Sequence, residues 1–298
     1  MEYPEVDFIT TEKSLNLVSL SRLMEYLKKG FRNTINSVRK HKLMFVLIIV
    51  FQIAFLVSSL ALGSQYLVKI VENTQGIIMP LENANYDSQK IEQGEVFTPD
   101  YAAIYSNYNS MMQNVILFAL WMSLLFLLFN GSIWVFSHWL LQEQQLWRTK
   151  VKEGVLFLLK AWASAFLLLG PFTIISYYVL LHFIRISQSF SNVTIVLKSL
   201  LIVLVAVYFF LLVALAVASR KSWKNFALTW IRISITKFQK TIVAFFLIAL
   251  TWLLGFSALY IAIEYSESVI LLLFLGLLCI VMVSMTRIFW IAVIQEIQ

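Results

Sequence analysis

Residues 43–67 read LMFVLIIVFQIAFLVSSLALGSQYL, and residues 39–42 directly before them read RKHK. The stretch holds no Asp, Glu, Lys or Arg. It exceeds the roughly 20 apolar residues that a helix needs to cross the hydrocarbon core of a bilayer. Five further stretches pass the same test: 115–141, 155–183, 193–218, 241–263 and 269–293. Only helices and closed barrels satisfy backbone groups in lipid, and the alternating segments of about ten residues that mark a barrel are absent. The sequence therefore predicts an all-α polytopic integral membrane protein, a bundle of six transmembrane helices.

Composition agrees. Of 298 residues, 60% are hydrophobic and 13% charged, against about 45–50% and 25% in soluble domains. One transmembrane domain, 43–298, uses most of the chain, with an outer loop at 68–114 between the first two spans. The polar segment 1–42 has no short apolar core and no small-residue cleavage site, so the first span is expected to be an uncleaved anchor.

Charge sets the expected orientation. Lys13, Arg22, Lys28, Lys29, Arg32, Arg39, Lys40 and Lys42 precede the first span. Arg148, Lys150 and Lys152 lie between the second and third spans, and Arg220, Lys221, Lys224, Arg232, Lys237 and Lys240 between the fourth and fifth. The opposite loops carry mainly acids, among them Glu72, Glu82, Asp87, Glu92, Glu95, Asp100, Glu264 and Glu267. The positive-inside rule then places both termini in the cytoplasm. The net charge of +7 follows from these topology determinants facing anionic headgroups. The basic segments lack the interleaved aromatics of a base-stacking surface, so no nucleic-acid partner is expected.

Within 1–42, Leu20, Leu23, Met24, Leu27, Phe31, Ile35 and Val38 recur every three or four residues, opposite Arg22, Lys28, Lys29, Arg32, Arg39 and Lys40. That pattern describes an amphipathic helix in the membrane interface, basic side among headgroups, or one docked on the protein's own spans. Trp223, Phe226, Trp230 and Ile233 repeat it before the fifth span, and 146–160 more briefly before the third. The expected unit is an interfacial helix followed by an out-and-back hairpin. This layout resembles a broad group of prokaryotic six-span membrane proteins that includes the membrane domain attached to some glycerophosphodiester phosphodiesterases. The resemblance implies a prokaryotic plasma membrane; no phosphodiesterase domain is present, and no functional residue is carried over.

Local signals refine the helix ends. Thr98-Pro99-Asp100 is an expected helix start, with Tyr101, Tyr105 and Tyr108 on one face of a projecting helix, either packed on the extension of the first span or free to meet a partner. Asn192 is expected as a helix cap in preference to a glycosylated sequon. Trp139, Trp147, Trp162, Trp223, Trp230 and Trp290 read as an interfacial belt. Ser59 with Gly63, and Ala258 with Ala262, have the fourfold spacing of close helix contacts.

The inventory of polar groups inside the spans is short. Lys160 and Lys198 lie near span ends and are expected to snorkel. No acid sits mid-span, no zinc or P-loop motif occurs, and His41, His138 and His182 fall on different faces. The buried Cys279 suits packing. No cofactor, metal or enzyme activity is expected. Asn130-Gly131 and Gly170-Pro171 sit near span centres. The Asn130 amide is expected to bond the Leu167 carbonyl that Pro171 frees, or to line a small cavity. Two function classes follow: an organiser of lipid or partner proteins acting through the basic helices or outer loop, or a transporter or permease subunit for an apolar or lipid-like substrate. A transporter would show a cavity lined by Asn130, Ser164 and Thr251.

Overall fold

The computed structural model describes residues 25–83, 100–142, 147–186, 190–219 and 222–298, and the chain is all-α. Among the described residues there is no strand, and six helices are long and apolar enough to cross a membrane. A helix α1 (residues 25–40) leads into α2 (Lys42–Asn83), α3 (Tyr101–Leu141), α4 (Trp147–Ile186) and α5 (Phe190–Val217). A short α6 (Trp223–Ile231), α7 (Phe238–Tyr265) and α8 (Val269–Ile297) complete the chain.

All six expected spans are present, and the helices outrun the apolar cores that announced them. The 42 residues of α2 extend about 63 Å at 1.5 Å per residue, twice the roughly 30 Å hydrocarbon core. Most of the expected outer loop 68–114 is therefore helix. Asp100 itself is the N-cap of α3, its Oδ1 accepting from the Ala103 N–H at 3.0 Å. The expected cap at Asn192 is corrected: α5 already starts at Phe190, so Asn192 lies inside its first turn. Helix α4 continues through Pro171 without a break. Leu20, Arg22, Leu23, Met24 and Thr98-Pro99 lie outside the described residues.

The chain divides into two compact units: Val50–Gly131, and the chain up to Ile49 together with Ser132–Gln298. In the first, α2 and α3 run antiparallel. Phe51 and Phe55 meet Phe129, Tyr66 meets Phe118 with ring centroids 5.8 Å apart, and the Thr74 hydroxyl donates to the Met111 sulfur. Gly76 lets the helices close up, since a Cβ there would lie 2.7 Å from the Asn107 side chain, whose Nδ2 donates to the Gly76 carbonyl. Asn107 and Met111 thus make the contact. Tyr101, Tyr105 and Tyr108 are exposed, which corrects the expectation that they pack on α2.

The second unit is built around the last turns of α5. Residues 211–218 are buried on every side, in a core shared with Phe157, Ile233, Phe245 and Trp290. Helices α4 and α5 form one hairpin, α7 and α8 another, and α8 also packs on α5. Helix α1 docks on the end of α8 at Gly30, where a Cβ would lie 2.5 Å from Val293 Cγ2 and 3.3 Å from the Val293 backbone. By contrast a Cβ on Gly63 would meet nothing within 4 Å, so the expected close contact is not made at Gly63.

Replacing Gly30 with Leu is predicted to undock α1. Hydrogen exchange over residues 25–40 should quicken by about tenfold or more, whereas Gly63→Leu should leave stability within about 0.5 kcal/mol.

Candidate functional site

Two short helices carry several exposed basic groups. On α1 the docked face is formed by Tyr26, Leu27, Gly30 and Thr34. The Asn33 amide donates to Glu296 Oε1 at 2.9 Å, and the Lys240 ammonium sits 4.7 Å from the Tyr26 ring centroid. Lys28, Lys29, Arg32, Arg39 and Lys40 are exposed, as the sequence pattern implies. Phe31 is not on the docked side; it is 57% exposed beside Lys28 and Arg32. Gly30 and Thr34 take the place expected for larger apolar residues because α8 approaches too closely for a bulky side chain. The Glu25 carboxylate, 3.1 Å from the Lys29 ammonium, raises the Lys29 pKa by hydrogen bonding and charge, so this group stays charged at neutral pH.

Helix α6 repeats the arrangement on α5. Phe226 and Ile233 are buried, and Trp230 stacks on Phe226. Leu228, Ile231 and Ile235 are exposed beside Lys224 and Arg232. A π turn at Arg232–Thr236 separates α6 from α7. Both helices therefore hold the protein by one side and present mixed aliphatic and cationic side chains on the other.

Beneath them, polar side chains of four helices converge on the carbonyls of α5. Trp230 Nε1 donates to the Phe210 carbonyl at 3.0 Å, and Trp290 Nε1 to that of Leu212 at 2.9 Å. His138 Nε2 lies 3.0 Å from the Leu215 carbonyl, and Lys160 Nζ 3.4 Å from that of Ala218. Since a helix leaves its last four carbonyls without partners and its C-terminus favours cations, Lys160 and His138 stand where such groups are most useful. The second hairpin has the same device, Lys237 Nζ donating to the Ile297 carbonyl at 2.6 Å.

These placements correct two expectations. Lys160 is fully buried against α5, near the Trp223 and Phe226 rings, and does not snorkel. Trp290 is 1% exposed and Trp230 partly buried, so both are core donors and not members of an interfacial belt. Trp223 remains exposed. Sequence spacing missed the shared target because partners such as Trp290 and Leu212 lie 78 positions apart.

His138 is 2% exposed. Its Nε2 faces a carbonyl, which only accepts, so that nitrogen carries the proton and Nδ1 is left as an acceptor. Nδ1 is buried without a hydrogen-bond partner. The ring borders a cavity of about 20 Å³ between Trp139, Gln142, Glu153, Gly154 and Ser219, room for a single water. Among the described residues no three His, Cys, Asp or Glu side chains converge to hold a metal.

Ser164 and Thr251 are not among the residues that line this cavity. The Ser164 hydroxyl is buried and donates to Lys160 O; Thr251 is exposed on α7 and donates to Leu247 O. Asn130 and Gly131 close the π turn Phe126–Asn130 and begin the following helical turns, in the Val50–Gly131 unit. Leu167, Gly170 and Pro171 belong to α4 in the other unit, and Gly170 has open space at its Cβ position. No protein-family model, curated protein or solved structure matches the chain.

Truncating Trp290 to Ala should cost about 3–5 kcal/mol, the range for large buried aromatics, measured by thermal unfolding in detergent. Trp223→Ala should cost far less. Lys160→Met, which keeps the aliphatic stem but removes the donor, should cost about 1–3 kcal/mol, against almost nothing for Lys152→Met at an exposed position.

Proposed function

We propose that this chain is a non-enzymatic integral membrane protein that organises lipid at the basic side of the bilayer through α1 and α6, with both termini cytoplasmic. The observation that carries this reading is their shared construction. Each is fixed on the end of a long apolar helix by one face, and each presents cations interleaved with large apolar side chains on the other. Phe31, with the half-buried Ile35, beside Lys28, Arg32 and Arg39, and Leu228 and Ile231 beside Lys224 and Arg232, suit the boundary between acyl chains and anionic headgroups. A basic residue near an anionic surface contributes about 1 kcal/mol, so several held on a docked helix enrich anionic lipid around the protein. A protein partner bearing acidic groups would use the same cations.

Transport of an apolar substrate is the weaker reading. Ser164 and Thr251 serve their own helices, and the water-sized cavity beside His138 is too small for a lipid-like solute. Under this proposal the membrane is a prokaryotic plasma membrane, a reading supported by the resemblance in layout to prokaryotic six-span proteins.

The test is the lipid retained by purified protein from bilayers mixing phosphatidylglycerol and phosphatidylcholine, measured by native mass spectrometry. The wild type should retain phosphatidylglycerol preferentially, and the triple change Lys28→Glu, Arg32→Glu and Arg39→Glu should lower that preference about tenfold or more. Equal retention of both lipids by the wild type, or no change in the variant, would contradict the proposal.

A further inference from the structure

Within the Val50–Gly131 unit, α2 meets α3 through one side. Phe51, Phe55, Tyr66 and Gly76 face α3. About half a turn away runs an exposed stripe with a strict seven-residue repeat. Val50, Val57, Ser64, Val71 and Ile78 occupy its first position, and Ile53, Leu60, Leu67, Thr74 and Leu81 the position three residues on. All of these side chains are exposed except Thr74, which is half-buried with its hydroxyl on Met111 of α3.

Lipid accounts for part of this stripe but not for all of it. Residues 43–68 contain no charged residue, and Lys69, Glu72 and Glu82 follow, all exposed. From Lys69 to Asn83 the helix runs about 22 Å further, in a stretch whose charges belong in water. Yet Val71 and Ile78 stay on the stripe there, with Met79 beside them, all about half exposed or more. An apolar stripe that continues into water at heptad spacing marks a helix–helix seam.

We propose that α2 pairs with α2 of a second copy of this chain as a parallel two-stranded coil. Three features select that occupant. β-Branched residues fill four of the five first positions and Leu predominates at the fourth, the distribution that favours parallel dimers over higher coils. Two copies inserted in one bilayer share their orientation, so a twofold axis along the membrane normal sets the two helices parallel and in register, the same stripe meeting itself. Ser64 is the exposed polar residue among these stripe positions, and it sits opposite its own copy only in that register. Lys69 and Glu72 flank the stripe and stay in solvent.

Site-directed disulfide formation in proteoliposomes at low protein density tests this. In a Cys279→Ser background, single substitutions Leu67→Cys, Val71→Cys and Ile78→Cys fall on the stripe, and Lys69→Cys lies off it. Disulfides need Cα atoms within about 7 Å. Under mild oxidation the stripe positions should form covalent dimers at least tenfold faster than Lys69→Cys. Comparable rates at Lys69→Cys, or chains that remain monomeric at all stripe positions, would overturn the proposal. The thermal midpoint of each variant, compared with the Cys279→Ser parent, separates loss of pairing from loss of fold. The mass of the unmodified protein in nanodiscs gives an independent reading: a dimer is expected, and a monomer would refute the pairing.

Discussion

The carbonyl groups at the end of α5 are the constraint on which the larger unit depends. Residues 211–218 are buried on all sides, so water cannot solvate the unpaired carbonyls of the last turn, and each such group left without a donor costs free energy. His138 of α3 and Lys160 of α4 reach carbonyls at this end. The two indoles bond carbonyls further inside the helix, which use the second lone pair left beside the helical bond. The result is a central helix end to which four neighbours are tied by direction as well as by packing. This matters in a membrane, where apolar surface alone gives little preference for protein over lipid, and packing geometry and interhelical hydrogen bonds carry the specificity.

The same constraint engages several polar groups that would otherwise be candidates for chemistry. His138, Lys160, Trp230 and Trp290 look like candidates for a site when read one at a time, and each is occupied with a backbone carbonyl of α5. Ser137, Ser164, Thr241 and Ser284 are buried and donate to carbonyls of their own helices or helix starts. The exposed cations of α1 and α6 are different, because they face outward and are held there by docked helices.

Much of the architecture was legible in the sequence, because hydrophobic length and the distribution of Lys and Arg are one-dimensional signals. The six spans, the projecting start of α3 near Asp100 and the basic helix before α2 could all be read directly. What could not be read depends on which face of a helix meets which neighbour. The close approaches occur at Gly30, Gly76 and Gly255, against Val293, Asn107 and Met282, and not at Gly63. Lys160 has the spacing of a snorkelling residue, but α5 ends within its reach. Trp290 has the position of a belt residue, but a carbonyl one helix away accepts its N–H. Phe31 belongs to the apolar stripe by spacing, but Gly30 brings α1 so close to α8 that Phe31 turns outward.

The central claim is that α1 and α6 lie with one face on the protein and the other in the headgroup boundary. Spin labels attached at Phe31→Cys and Ile231→Cys in nanodiscs, with their depth measured by accessibility to oxygen and to a water-soluble nickel chelate, test it most directly. The account predicts that both labels sit at the boundary between headgroups and acyl chains, and deeper than labels at Asn36→Cys and Asn225→Cys on the more polar sides of the same helices. Labels at Phe31→Cys and Ile231→Cys that are as accessible to the aqueous chelate as those controls would contradict it.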